Sequence, residues 1–457
     1  MSHVLGPVWW LIVTLGLLIT FHEYGHYIVA RRLGVKVLKF SVGFGPALWS
    51  RFDRHGTQFV IAAIPLGGYV KMLDTREVDG AVGPEGLRGA FDRKPVGARM
   101  AITAAGPVFN FIFTIAALWL VFVIGRPDFQ PVVGSVDHVA ASSGFQAGDR
   151  IIAVGGRAVD AWTTALGALM SAGIDRRDVV VDVVDAGGSA HQRTLALSKL
   201  PADVDERQLP VEIGLAPPRQ PIPPVIGSVP ADGAAAKAGL APGDRILSIG
   251  GDAIKDWRDV PDAIQKHASA GHALDITVER DGGMRSFAVT PAQGDPDPAD
   301  AAAKPRWLVG IGVQPVEPNF DATLRYGPVA ALGKAFSETW NQTHDLLGLL
   351  GRMVTGQASV KNLGGVISIA QAADSNAKGG LVWFLTFLAA ISLSLAVLNL
   401  LPIPILDGGG LLYYLIESIK GSPLSDRVQI AGQYVGLVLL VGLMGLALYN
   451  DILRNVS

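Results

Sequence analysis

The sequence predicts a polytopic α-helical membrane protein with four transmembrane helices and two exported α+β domains. Three observations predict it. Apolar runs occupy residues 7–30, 100–124, 381–401 (continuing to 416) and 429–449, each reaching the roughly 20 residues that a helix needs to cross a bilayer. Charged residues make up only 17% of the 457, below the roughly 25% of average soluble domains. Between the second and third runs lies a long region of mixed polarity that contains an internal repeat.

The first run has no basic n-region, is longer than a leader's apolar core and ends in Arg31-Arg32, so it reads as a retained helix. The loop that follows, to Arg99, is rich in Lys and Arg and poorer in acids. The excess of positive charge places it in the cytoplasm and the N-terminus outside, with Trp9 and Trp10 at the outer interface. Four spans then return both termini to the outside and export the central region. Within the loop, "KVLKFSVGFGPALW" and "TQFVIAAIPLGGYVKML" are β-prone, glycine-punctuated and too short to cross as helices, which predicts a β-hairpin, either cytoplasmic and amphipathic or associated with the membrane.

The exported repeat has a period of 95 residues, from Gly144 ("GFQAGDRIIAVGGRAVDAW") to Gly239 ("GLAPGDRILSIGGDAIKDW"). Each copy reads as a turn, a short apolar strand, a Gly-Gly turn, a second strand and a helix, followed by a strand–turn–strand hairpin. The proline-rich "LAPPRQPIPPV" joins the copies as a stiff linker, and "GDPDPADAAAKP" from Gly294 is an exposed loop. Residues 320–378 form a moderately amphipathic stretch, suited either to the outer membrane–water interface or to an ordinary soluble helix. The chain thus divides into a first transmembrane helix (1–33), a cytoplasmic loop (34–95), a second transmembrane helix (96–125), two exported domains (126–222 and 223–318), an interfacial segment (319–379), a third transmembrane segment (380–418) and a fourth transmembrane helix (428–451). The absence of cysteine excludes disulfides and thiolate-bound zinc, and a net charge of −2 gives no reason to expect nucleic acid.

The chemistry sits in the first span, in "HEYGH". An ionisable side chain in mid-bilayer costs roughly 2.5–3.5 kcal/mol on insertion scales and marks a function. On a helix His22 and His26 project from one face and can share a metal ion, while Glu23 points to the side and reaches a water on that metal. A catalytic zinc site takes three protein ligands. The third is Asp407, in "LNLLPIPILDGGGLLYY" of the third segment, where Pro402 and Pro404 break the helix and three glycines follow the acid. Irregular backbone at membrane depth is tolerated when it lines a cavity. Asn399, just before the break, either hydrogen-bonds a developing oxyanion or caps the broken helix. Asn110, in the second span, reads as a packing amide between helices.

HEYGH in the first span, NLLPIPILDGG in the third and a tandem repeat between the second and third resemble the site-2 proteases over essentially the whole chain. These are intramembrane zinc metalloproteases of the kind that carries two PDZ domains. The resemblance implies Zn2+ held by His22, His26 and Asp407, with Glu23 activating the water and Asn399 near the catalytic centre. It implies a re-entrant β-loop after the first span that unwinds the substrate, with Gly43, Gly45, Gly67, Gly68 and Tyr69 as substrate-binding positions. It also implies that "VEIGL" (211–215) and "VGIGV" (309–313) are the peptide-facing strands of periplasmic PDZ domains. Family members often carry His after LDGG, where this chain has Gly410. The expected activity is cleavage of single-span membrane proteins in a bacterial inner membrane: anti-sigma factors already cut in the periplasm, and leftover signal peptides. The PDZ pair would face the periplasmic parts of substrates and exclude large ones. A non-catalytic receptor with relaying spans, or a metal-handling membrane protein, are the alternatives; an intact His22/Glu23/His26/Asp407 set argues against the first, and the lack of a polar path through the spans argues against the second.

Overall fold

A computed structural model describes residues 2–76, 84–201, 204, 208–218, 220–294, 306–314, 316, 318–355 and 364–456. Outside the repeat, and apart from the short helix Pro84–Gly89, its α-helices are α1 (Ser2–Arg32), α2 (Val96–Ile124), α3 (Pro328–Val354), α4 (Val366–Lys378), α5 (Leu381–Leu400), α6 (Asp407–Lys420) and α7 (Asp426–Val456). Within them, Leu5–Arg32, Val96–Ile124, Leu381–Leu400 and Arg427–Leu453 are long and apolar enough to cross a membrane. The third expected segment is therefore two helices. It breaks over residues 401–406, where two prolines deny the helix its amide donors.

Helix α2 is the hub, packing against α1, α5, α6 and α3. Its start is tied to the far end of α6 by Arg99, which pairs with Glu417 at 2.6 Å and stacks over Tyr414 at 4.9 Å. Helix α4 packs on α1 and is capped by buried Asp451 of α7, whose carboxylate accepts the N–H groups of Gly365, Ile367 and Ser368.

The expected hairpin is present as β1 (Val37–Phe52) and β2 (Gln58–Met72). It is doubled on itself: Val37–Val42 has Gly68–Met72 on one side and Gln58–Ile61 on the other, while Ala47–Phe52 faces Gln58–Ala62. Positive φ at Gly43 and Gly45 permits the fold-back. Among the described residues no strand pairs with the outer side of Gly68–Met72, and the Val70 N–H donates to Glu23.

Both repeat copies form a four-stranded sheet with a helix across it: Trp162–Ile174 in the first and Asp259–His267 in the second. The shared Gly-Asp-Arg turn has a common cause. Asp149 and Asp244 are each 1% exposed, and each accepts an arginine from the following hairpin, Arg193 in one copy and Arg280 in the other. Each arginine also donates to the glycine carbonyl that opens its motif, Gly144 or Gly239.

The segments expected as peptide-facing strands differ from the structure. Leu209–Ile213 is a helix with Pro210 in its first turn, which pre-sets helical φ, and only Leu215–Ala216 pairs as a strand, with Ser135–Val136. In the second copy Gly312–Val313 pairs with Ile226–Ser228, while Val309 is buried in the core. The loop expected after Gly294 lies outside the described residues for most of its length.

The strand leaving α2, Arg126–Asp128, pairs with Ala322–Leu324 on the return, so the two ends of the repeat region meet. The first copy also docks on α3 through side chains. Asp160 accepts from Tyr326 (2.7 Å) and Lys334 (2.6 Å), Asp345 accepts from Ser171 (3.2 Å), and Arg352 pairs with Asp175. Along another side of α3, Val329, Phe336 and Trp340 are more than half exposed.

Candidate metal centre

His22 and His26 are one helical turn apart on the side of α1 that meets α2. Glycine makes that approach possible on both helices. A methyl on Gly25 would sit 2.5 Å from the Ala105 carbonyl oxygen. A methyl on Gly106 would sit 2.6 Å from His22 Cε1 and 2.7 Å from its Nε2, and closer still to His26 Nε2. The α2 backbone also orients the rings: His26 Nδ1 donates to the Ile102 carbonyl at 2.8 Å, and His22 Nδ1 lies 3.2 Å from the Asn110 amide nitrogen. Both Nε2 atoms are thereby turned to one point, 3.2 Å apart.

Asp407 reaches the same point from α6, as its first residue. The turn before it is tight. Ile405 has φ 111°, a left-handed conformation that a β-branched side chain rarely adopts. A methyl on Gly409 would lie 2.5 Å from the Ile403 carbonyl oxygen, and one on Gly408 would overlap the carbonyls of Leu400 and Leu401. Gly410 lies against Thr103 of α2. From α7, Gly432 and Gly436 pack on Tyr413 and on Pro404 of the turn.

Asp407 Oδ2 lies 3.2 Å from His22 Nε2 and 3.5 Å from His26 Nε2, buried and without a hydrogen-bond partner. The three donor atoms thus define a triangle with edges of 3.2, 3.2 and 3.5 Å. A tetrahedral zinc with bonds of 2.0–2.1 Å has ligand–ligand edges of about 3.3–3.4 Å. The donor set, its spacing and the orphaned carboxylate oxygen all fit that ion.

These groups open into a cavity of about 620 Å³, also lined by Glu23, Asn399, Thr103, Ile405 and the β2 residues Tyr69 to Met72. Glu23 lies beside the ligands and against β2, its Cγ 3.4 Å from where a Gly68 methyl would be. The hairpin positions singled out from the sequence therefore divide. Tyr69 lines the cavity and Gly68 abuts Glu23, whereas Gly43 faces the carbonyls of Ala62 and Ile64, Gly45 faces Ile64 and Gly67 faces Phe44.

Sequence reading missed Gly106 and the contact of Asn110 with His22. The available signal was their spacing: residues 106 and 110 are one turn apart, like His22 and His26, and so share a face of α2.

Residues 10–443 match the sequence family described as Peptidase family M50. A Xylella fastidiosa (strain Temecula1) protein that carries a zinc metalloprotease name is 47% identical over 454 residues, covering 99% of this chain and 100% of the relative. The Regulator of sigma-E protease of Salmonella typhimurium (strain 14028s) and that of Escherichia coli K12 are each 42% identical over 448 residues, 97% of either chain. With the family matched over nearly its whole length, the chain belongs to peptidase family M50, the site-2 proteases.

Proposed function

We propose that this chain is an intramembrane zinc endopeptidase that cuts single-span membrane proteins within a bacterial inner membrane. One observation carries the reading: two imidazole nitrogens and an orphaned carboxylate oxygen converge at zinc spacing, beside a glutamate, in helices of membrane-spanning length. His22, His26 and Asp407 hold the ion. When bound, zinc lowers the pKa of a coordinated water and polarises the scissile carbonyl.

Glu23 accepts the attacking water's proton and returns it to the leaving amine. Asn399, on the cavity wall, donates its amide to the oxygen on which charge develops. A helical peptide bond is shielded, so the substrate is held extended by adding to β2 along Tyr69–Met72, with whose outer side no described strand pairs and which lines the cavity. Gly68, just before that stretch, keeps β2 close to Glu23.

The two repeat copies act as PDZ domains on the periplasmic side, where they exclude substrates with a large exported domain. α3 lies in the outer interface with Val329, Phe336 and Trp340 towards lipid. The substrates are anti-sigma factors shortened by a first periplasmic cut, with remnant signal peptides as a second group. This reading agrees with the sigma-E regulators among the relatives.

The test is a gel cleavage assay in detergent on a single-span anti-sigma substrate lacking its exported domain. Wild type cuts it and Glu23→Gln does not, while both retain zinc. Cleavage by both proteins refutes the assignment of Glu23, and cleavage by neither refutes the protease.

A further inference from the structure

We propose that Asn110 is a positioning residue for the metal centre. Its side-chain oxygen accepts the Nδ1 proton of His22 and so fixes the tautomer that leaves Nε2 free to ligate. Asn110 is fully buried, and its amide nitrogen stands 3.2 Å from His22 Nδ1 while its Oδ1 has no partner. In that orientation the amide donates to Nδ1, which puts the proton of a neutral imidazole on Nε2. Yet Nε2 is the atom that faces Asp407 Oδ2 and His26 Nε2, each at 3.2 Å. A ligating imidazole needs its lone pair there.

Rotating the amide by half a turn resolves the conflict without moving any other group, because its two ends have nearly the same shape. Oδ1 then accepts from Nδ1, and His22 gains the arrangement that His26 already has with the Ile102 carbonyl. One amide atom lacks a partner in either orientation, so hydrogen bonding alone does not choose between them; the ligating lone pair does.

The anchor is firm. The Asn110 carbonyl accepts Ser392 Oγ of α5 at 2.9 Å and Thr114 Oγ1 at 3.0 Å, both fully buried. α5 also carries Asn399. The inference rests on zinc being the resident ion, as proposed above.

The experiment compares full-length Asn110→Asp and Asn110→Leu with wild type by zinc titration against a competing chelator in detergent, with no substrate present. An outer partner of a metal-bound histidine is worth about 10–100-fold in affinity, so Leu loses that much. Asp, which can only accept, stays within about threefold of wild type, because a carboxylate serves the same histidine proton. Equal losses in Asp and Leu overturn the proposal, since they mean the amide nitrogen is what matters. Undiminished affinity in Leu also overturns it, as mere packing. An independent readout needs no variant: nitrogen NMR of metal-free wild type with labelled histidine, at a pH where His22 is neutral, shows its proton at Nδ1, and a proton at Nε2 refutes the idea. Failure of the Glu23 assay alongside this tautomer would discredit the proposed reaction and leave the positioning role intact.

Discussion

Gly106→Ala sets two effects against each other whose sizes can be compared. In an ordinary helix interior, alanine for glycine stabilises by about 1 kcal/mol. Here the new methyl would lie 2.6 and 2.7 Å from two atoms of the His22 ring and nearer still to His26 Nε2. Non-bonded heavy atoms rest about 3.5–4.0 Å apart, so each ring must retreat by about 1 Å. His26 has little room to do so, because its Nδ1 is held by the Ile102 carbonyl at 2.8 Å. Overpacking of this kind costs about 1–3 kcal/mol, which, less the helix gain, leaves about 0–2 kcal/mol against the fold. The protein should therefore still fold and insert. The metal centre should not survive, because ligand distances tolerate only about 0.2 Å. The assay is zinc content of the purified variant beside cleavage of the shortened single-span substrate. The expected result is a folded protein with under about a tenth of wild-type zinc and no cleavage. A variant that keeps stoichiometric zinc and cuts within a few-fold of wild type would refute the close packing of α2 on the ligands.

Three further outcomes concern the repeat region. Arg280→Ala leaves Asp244 buried without its partner, and breaking such a pair costs about 3–5 kcal/mol, with the low end expected because Arg280 is 23% exposed; hydrogen exchange of residues 274–289 in the full chain reads the loss. In wild type, burial pushes the Asp244 carboxyl up, but the Arg280 bonds and the Ala241 N–H outweigh it and hold the pKa below the usual range. The pair therefore stabilises above about pH 3.9 and is lost as pH falls through the depressed value, so protection of that hairpin drops in acid far more in wild type than in Arg280→Ala. Deleting residues 132–316 removes both domains, and cleavage of a full-length substrate with its exported domain intact should then begin. If that substrate survives the deletion, the size filter is wrong.

The parts of the site that were legible in the sequence are those whose chemistry shows in residue type and local spacing. His22, Glu23 and His26 are readable because a helix turns four residues into one face. Asp407 is readable because an acid beside two prolines in an apolar run is costly unless it meets a cation. The repeat was legible through Gly-Asp-Arg, but the reason for its aspartates was not. Their arginines, Arg193 and Arg280, stand 44 and 36 residues further on, and only the folded hairpin brings them back. Pro210 is a helix-start signal, but the neighbouring Val-Glu-Ile alternation reads equally as a strand and outweighs it locally. Asn110 was visible as a buried amide, yet its partner depends on how α1 meets α2, a fact of packing that no single segment contains.

Glycines explain why chemistry of this kind can exist among membrane helices. The break at 401–406 exposes backbone that lipid cannot satisfy, and the turn repairs itself from within: Leu406 N–H donates to Ile403, while Gly409 and Gly410 N–H donate to Leu406. That repair needs the chain after Asp407 to lie directly on the carbonyls of residues 400–403, where only Gly408 and Gly409 leave room. Gly432 and Gly436 then let α7 close over Pro404, and Gly106 lets α2 close over the histidines. In the proposed site His22, His26 and Asp407 supply the reactivity, but each is held by a contact that a single methyl group would occupy. A substitution scan of the two kinds of residue should therefore separate them by signature: ligand variants lose zinc and keep the packing of α1, α2 and α6, whereas glycine variants lose zinc because that packing has moved.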